Sequence, residues 1–170
     1  MNNLNNSNWS QTHIIEVCDL FLNDYEYHHL EKRENTTDEW LDQFAGVDIL
    51  IKKGNAIYGV ASRIQKINWA SFSIRSKTFY DGDTELKKRK ASLNDGSIYP
   101  FFTIQAYYDK ETDKFVEGAR IETKELYEFI NNNPDKFHKG INKGEKDNEF
   151  RYVYFDDLED CKTLKRLKIN

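Results

Sequence analysis

The feature that most constrains this chain is a carboxylate set inside an apolar strand. Residues 47–51 read Val47-Asp48-Ile49-Leu50-Ile51, followed by the turn Lys52-Lys53-Gly54-Asn55 and a second strand-like run over residues 56–65. Two β-patterned runs joined by a short Gly/Asn turn predict a hairpin. An Asp in the first run is costly unless it is paired, hydrogen-bonded or bound to a cation. Period-two alternation puts Ala61, Arg63 and Gln65 on one face of the second strand and Val60, Ser62 and Ile64 on the other. A polar partner for Asp48 is therefore available across the hairpin. A plain Asp48 to Arg63 salt bridge satisfies these residues as well as a functional site does.

The rest of the chain supplies the layers around that hairpin. Residues 9–27 place Ile14, Ile15, Cys18, Phe21, Leu22 and Tyr25 at helical spacing, with Ser10 as N-cap, which predicts an amphipathic helix. His28 and His29 then fall at its end as exposed residues, because neighbours on a helix do not converge on one ligand. A short helix is expected from Thr37 or Asp38 to Phe44, broken by Gly46. A strand follows over residues 71–75 and a basic helix over residues 84–93. Strands at 101–108 and 114–121 flank a polar turn, and Thr123 caps a helix through Ile130. Residues 138–148 read as a mobile loop, residues 150–155 as a strand, and Asp156-Asp157 as the start of a terminal helix carrying Leu158, Cys161 and Leu164.

This order predicts one domain over residues 1–170, α/β or α+β, with a single mixed β-sheet flanked by helices. Aromatic residues make up 14% of the chain, enough bulk for a core although only 38% of residues are hydrophobic. No leader and no apolar run long enough to span a bilayer is present, so a cytoplasmic protein with no membrane partner is expected. Cys18 and Cys161 stand alone, which supports neither a disulfide framework nor a zinc site. Nucleophile-elbow, P-loop and dinucleotide-binding motifs are absent.

The net charge of −4 conceals a strong polarity. Residues 1–51 hold ten acids and two bases, whereas residues 52–90 hold ten bases and three acids. The basic block contains Arg63, Lys66, Arg75, Lys77, Lys87, Lys88, Arg89 and Lys90, interleaved with Trp69, Phe72, Phe79 and Tyr80. Bases among aromatic rings suit phosphate contacts with stacking. The same bases also suit a solvated surface paired with the acidic N-terminal third. Arg75 fits either a phosphate clamp with Arg63 or a sheet-edge pair with Glu85. Gln105 fits either the site or a satisfied core position.

A helix, then Gly46-Val47-Asp48-Ile49-Leu50-Ile51, a turn, and a strand ending Gly59-Val60-Ala61-Ser62-Arg63 resembles the core of the PD-(D/E)xK, or restriction-endonuclease-like, superfamily of nucleases. That resemblance implies Asp48 as a Mg²⁺ ligand, Glu16 as a helix acid completing the metal shell, and a Glu-x-Lys on the second strand. Here that position reads Ala61-Ser62-Arg63, so a carboxylate is missing and arginine, which cannot serve as a base, replaces lysine. Gln65, Glu16 or Glu85 is then required to supply the missing oxygen, with Arg63 stabilising the transition-state charge. The resemblance implies a nucleic-acid-associated protein: either a Mg²⁺-dependent DNA endonuclease using Asp48, Arg63 and Gln65, or a catalytically silent nuclease-fold protein. The silent form would bind DNA or a protein partner, singly or as a homodimer, as an accessory or anti-defence protein of a phage or mobile element.

Overall fold

The hairpin forms the middle of a six-stranded sheet. The computed structural model describes residues 2–30, 46–77, 84–141 and 149–169, so the short helix expected before Gly46 lies outside the described residues. The sheet runs in the order β1 (Glu26–His29), β2 (Ile49–Lys53), β3 (Ala56–Gln65), β5 (Pro100–Tyr108), β6 (Phe115–Glu122) and β9 (Lys165–Lys168). β3 and β5 are parallel and every other neighbouring pair is antiparallel. A parallel pair needs a long crossover, here β4 (Ser71–Lys77) and α2 (Glu85–Asp95). The Thr84 hydroxyl caps α2 by accepting from the Lys87 N–H at 3.3 Å, and Gly96 ends it at φ 74°.

Helix α1 (Asn2–Phe21) covers one face of this sheet. Ile14, Val17, Cys18 and Phe21 are buried against Ile49, Ile51, Val60, Ile104 and Ala106. Gly118 permits that contact, because a Cβ there would lie 2.8 Å from the Gln105 carbonyl and 3.0 Å from the Phe21 ring. The helix begins earlier and ends earlier than its apolar spacing predicts, and Ser10 lies inside it. Residues 26–29 instead pair with β2, which places His28 and His29 on a strand. The ladder along an otherwise open sheet edge outweighs the marginal helical pattern there.

A second sheet replaces the expected single one. β4 pairs with β8 (Glu149–Tyr154), and β8 pairs with β7 (His138–Ile141), all antiparallel. Residues 138–141 are thus a strand where Gly and Lys had suggested a loop. Helix α3 (Thr123–Asn132) buries Leu126, Tyr127 and Ile130 with Phe72, Ile121, Val153 and Leu158. Its N-cap position is Glu122, and Thr123 instead shares a 2.9 Å hydrogen bond with Thr103.

The expected terminal helix is a single turn, Asp156–Leu158, after which the chain becomes β9. Two side chains explain the change. The Glu125 carboxylate accepts from the backbone N–H groups of Lys162 and Thr163 at 2.8 and 2.9 Å. Arg166 pairs with buried Glu117 at 2.7 Å and with Asp156 at 2.5 Å. Both contacts draw residues 162–166 onto the sheet. Among the described residues, no helix is long and apolar enough to cross a membrane.

Candidate functional site

Asp48 lies just before β2 and continues the ladder that β2 leaves unfinished. Its N–H donates to the Val60 carbonyl at 2.9 Å, and its Oδ2 accepts from the Ser62 N–H at 2.7 Å. The carboxylate thus takes a β3 donor that has no strand residue opposite it, which offsets the cost of seating an acid in an apolar run. Gly59 makes room for this approach, since a Cβ there would meet Val47 at 2.6 Å. Alternation sets Asp48, Ala61 and Arg63 on the sheet face away from α1.

Arg63 makes a different pair from the simplest one. Its Nη2 donates to Glu85 at 2.6 Å, and its Nη1 donates to the Ser73 carbonyl at 2.9 Å. Its guanidinium also lies 5.7 Å from the centre of the Phe150 ring. Glu85 is held at the first turn of α2, so the crossover helix brings a carboxylate to the strand whose own Glu position holds Ala61. Glu85 also accepts from the Arg75 backbone N–H at 3.3 Å, while the Arg75 guanidinium is exposed and lies 5.9 Å from the Phe150 ring centre. The Gln105 amide donates to Gln65 Oε1 at 3.3 Å, and Ser73 donates to Gln105 Oε1 at 3.3 Å. Gln105 is buried and Gln65 half-buried, so the two amides and Ser73 extend the polar seam between the sheets.

Arg89 requires a correction. It is only 5% exposed and lies on the inner side of α2, not on the helix's basic surface. Its Nη2 donates to the Gly46 carbonyl at 2.7 Å, and the guanidinium sits in the field of Glu85, Tyr127, Asp48 and Arg63. Burial draws its pKa below the usual arginine value, against the opposing pull of Glu85, Tyr127 and Asp48. Gly46 is suited to this contact twice over: its φ is +58°, and a Cβ would lie 2.7 Å from Arg89 Nη2. Lys87, Lys88 and Lys90 are on the exposed side of α2.

Glu16 and Lys66 belong to another cluster. Glu16 accepts from the Tyr108 hydroxyl at 2.8 Å, and the Lys66 ammonium lies 4.4 Å from the centre of the Trp9 ring. His13 sits between Trp9 and Tyr108 and contacts Asp113 at 3.3 Å. Tyr108 packs on the α1 side of the sheet, and it lies four residues along β5 from Ile104, the partner of Ser62. That is about 13 Å of strand, so Glu16 and Asp48 do not share a site.

Among the described residues, no three His, Cys, Asp or Glu side chains come together in a way that could hold a metal ion. Where Asp48 and Glu85 approach the same region, the guanidiniums of Arg89 and Arg63 already supply the positive charge. The residues present do not fit a Mg²⁺ shell in this arrangement.

Two groups were not singled out by sequence reasoning. The Tyr127 hydroxyl is buried beside Glu85, Arg89 and Arg63 with no hydrogen-bond partner among the described residues, and burial pushes its pKa up. Its neighbours Leu126 and Ile130 mark it as an inward helix residue, but nothing local shows that the far wall is charged. The alternation Phe150-Arg151-Tyr152-Val153-Tyr154 does carry a legible signal, because it sets three rings on one strand face. No family model, curated protein or solved structure matches the chain.

Proposed function

We propose that this chain is a nucleic-acid-binding protein of nuclease-like architecture that holds a phosphate backbone at the Arg63 face without cutting it. The observation carrying this reading is that Arg63, fixed by Glu85 and Ser73, lies against the Phe150 ring together with the exposed Arg75, and that the exposed Lys77 follows two residues along β4. The resemblance to the PD-(D/E)xK superfamily around Asp48 points to the same class of ligand. Ala61 and Arg63 at the Glu-x-Lys position favour binding over cleavage, because neither residue provides a metal carboxylate or a titratable base. Lys87, Lys88 and Lys90 on α2 extend the cationic surface.

The test is fluorescence anisotropy with labelled DNA over a salt series. Each phosphate contact adds about 0.9 to the slope of log affinity against log salt concentration for duplex DNA. Replacing Lys87, Lys88 and Lys90 by Ala should therefore flatten that slope and weaken binding to all sequences alike. Wild type that binds no DNA at any salt concentration sinks the proposal. One observation favours cleavage instead: α2 presents Glu85 on the same face as Asp48. DNA cutting that requires Mg²⁺ and disappears in Asp48→Asn would replace the binding reading.

A further inference from the structure

We infer that the sheet face carrying His138, Tyr152 and Tyr154 is a stacking platform for unpaired bases, so the nucleic acid held here is single-stranded or locally opened. This rests on the nucleic-acid reading above and narrows it.

Directly opposed residues of antiparallel strands share a face. The registers Ser73↔Tyr152, Ser71↔Tyr154, Arg75↔Phe150, His138↔Tyr152 and Gly140↔Phe150 therefore gather Phe150, Tyr152, Tyr154, His138 and Arg75 on one side of the small sheet, together with Ser71 and Ser73, whose hydroxyls reach Tyr107 and Gln105 of the large sheet. The rings of His138, Tyr152 and Tyr154 form a closed triad, with centroids 5.3, 5.4 and 5.4 Å apart. The opposite face, with Phe72, Ile74 and Val153, is core. None of the three triad rings belongs to a core cluster, and Tyr154 is 40% exposed.

Phe150 links the triad to the phosphate site. It lies one alternation, roughly 7 Å, before Tyr152 on β8, and the guanidiniums of Arg63 and Arg75 lie against its ring. Neither Arg75 nor Lys77 forms an ion pair with an acid among the described residues. Trp69 adds a further ring, 62% exposed, at the Tyr154 end, where the Phe155 N–H donates to the Ala70 carbonyl at 2.8 Å. Cations then border the aromatic surface at its Phe150 end. Aromatic rings beside unpaired cations match single strands, whose bases are free to stack, better than duplex, whose bases are already stacked. A cluster serving only to hold β7 to β8 would not need open cations at its border.

The full chain is tested by anisotropy with labelled oligothymidylate and with a blunt duplex of equal length. The single strand should bind more tightly than the duplex. Tyr152→Ala and Tyr154→Ala should each weaken single-strand binding by about 5-fold to 160-fold, while Tyr152→Phe and Tyr154→Phe retain it and duplex binding is unchanged. Photo-crosslinking of wild type to a bromodeoxyuridine oligonucleotide, which needs no variant to fold, should map to Tyr152 or Tyr154. Wild-type binding that is indifferent to both Ala changes, with crosslinks only on α2, overturns the platform and leaves the nucleic-acid reading standing. Salt-insensitive capture of a protein with no affinity for either DNA overturns both.

Discussion

The two faces of the six-stranded sheet solve opposite problems with the same strands. Against α1 the sheet is dry: Ile49, Ile51, Val60, Ile104 and Ala106 meet Val17, Cys18 and Phe21. On the other face Tyr107, Ala119 and Ile121 are buried with α3 and the small sheet, and beside that second core Arg63, Gln65, Thr103 and Gln105 of β3 and β5 form a polar seam that meets Ser73, Glu85 and Thr123. One face gains stability from area removed from water. The polar seam on the other face consumes part of that gain in desolvated charge, and what it obtains is a fixed orientation of groups. Arg89 is buried on this side, with its Nη2 on the Gly46 carbonyl and its charge in the field of Glu85 and Asp48.

The sharpest break of this comparison is Phe21→Ala. Phe21 is fully buried, and its ring lies 6.1 Å from that of Phe115. The loss should be about 3–5 kcal/mol, read as a lowered denaturation midpoint, while any ligand affinity of the folded fraction is unaffected. Arg89→Met comes next at about 2–4 kcal/mol, because it leaves the Gly46 carbonyl without its donor and removes a positive charge from the field of Glu85 and Asp48. Unlike the first variant, it should also disturb binding at Arg63. If Arg89→Met proves neutral in both respects, the polar face is as tolerant as a surface.

The dry face was legible in the sequence and the polar face only in part. Apolar alternation in β2, β3 and β5 and the helical spacing of Ile14, Cys18 and Phe21 are local signals, and they report which way each residue points. Asp48 was legible for the same reason, as a break in a local pattern. Its partner was not, because strand spacing offers Arg63 but cannot reveal that Arg63 is claimed by Glu85 from a helix 22 positions away. Arg89 sits in a run of bases whose composition reads as surface, and only the packing of α2 separates it from Lys88 and Lys90. The chain after Asp156 departs from its local pattern for a related reason. Arg166 on Glu117 and Glu125 on Thr163 are long-range contacts that override weak helical propensity after Asp156.

Cysteine chemistry sharpens the contrast at a smaller scale. Burial, with Asp19 beside it, pushes the Cys18 thiol up to about 12, from an ordinary value of 9.0. The native protein then holds a proton that the unfolded chain releases, so this contribution to stability is intact below pH 9 and is lost as pH rises toward 12. Denaturation midpoints should fall over that window, and Cys18→Ala should lessen the fall. A thiol reagent at pH 8 should modify half-buried Cys161 in the native protein and Cys18 only after unfolding. Native labelling of Cys18 at a comparable rate would mean that the α1 interface opens readily and is not the rigid half of the molecule.

The smallest effect falls on the residue where the two designs meet. Tyr127 lies on α3 with its ring in apolar company and its hydroxyl among Glu85, Arg89 and Arg63, buried and without a hydrogen-bond partner among the described residues. An unsatisfied buried hydroxyl is a cost already present in the native state, so Tyr127→Phe removes a penalty and no contact. Stability should rise by up to about 1 kcal/mol, a gain in Tm of roughly 2–4 °C for a chain of this size, with nucleic-acid affinity unchanged. A variant that instead loses affinity while keeping its Tm would move Tyr127 from the core to the site. The hydroxyl would then be a donor kept vacant for a ligand oxygen, and the boundary between the dry and polar regions would lie one residue deeper in α3 than its packing implies.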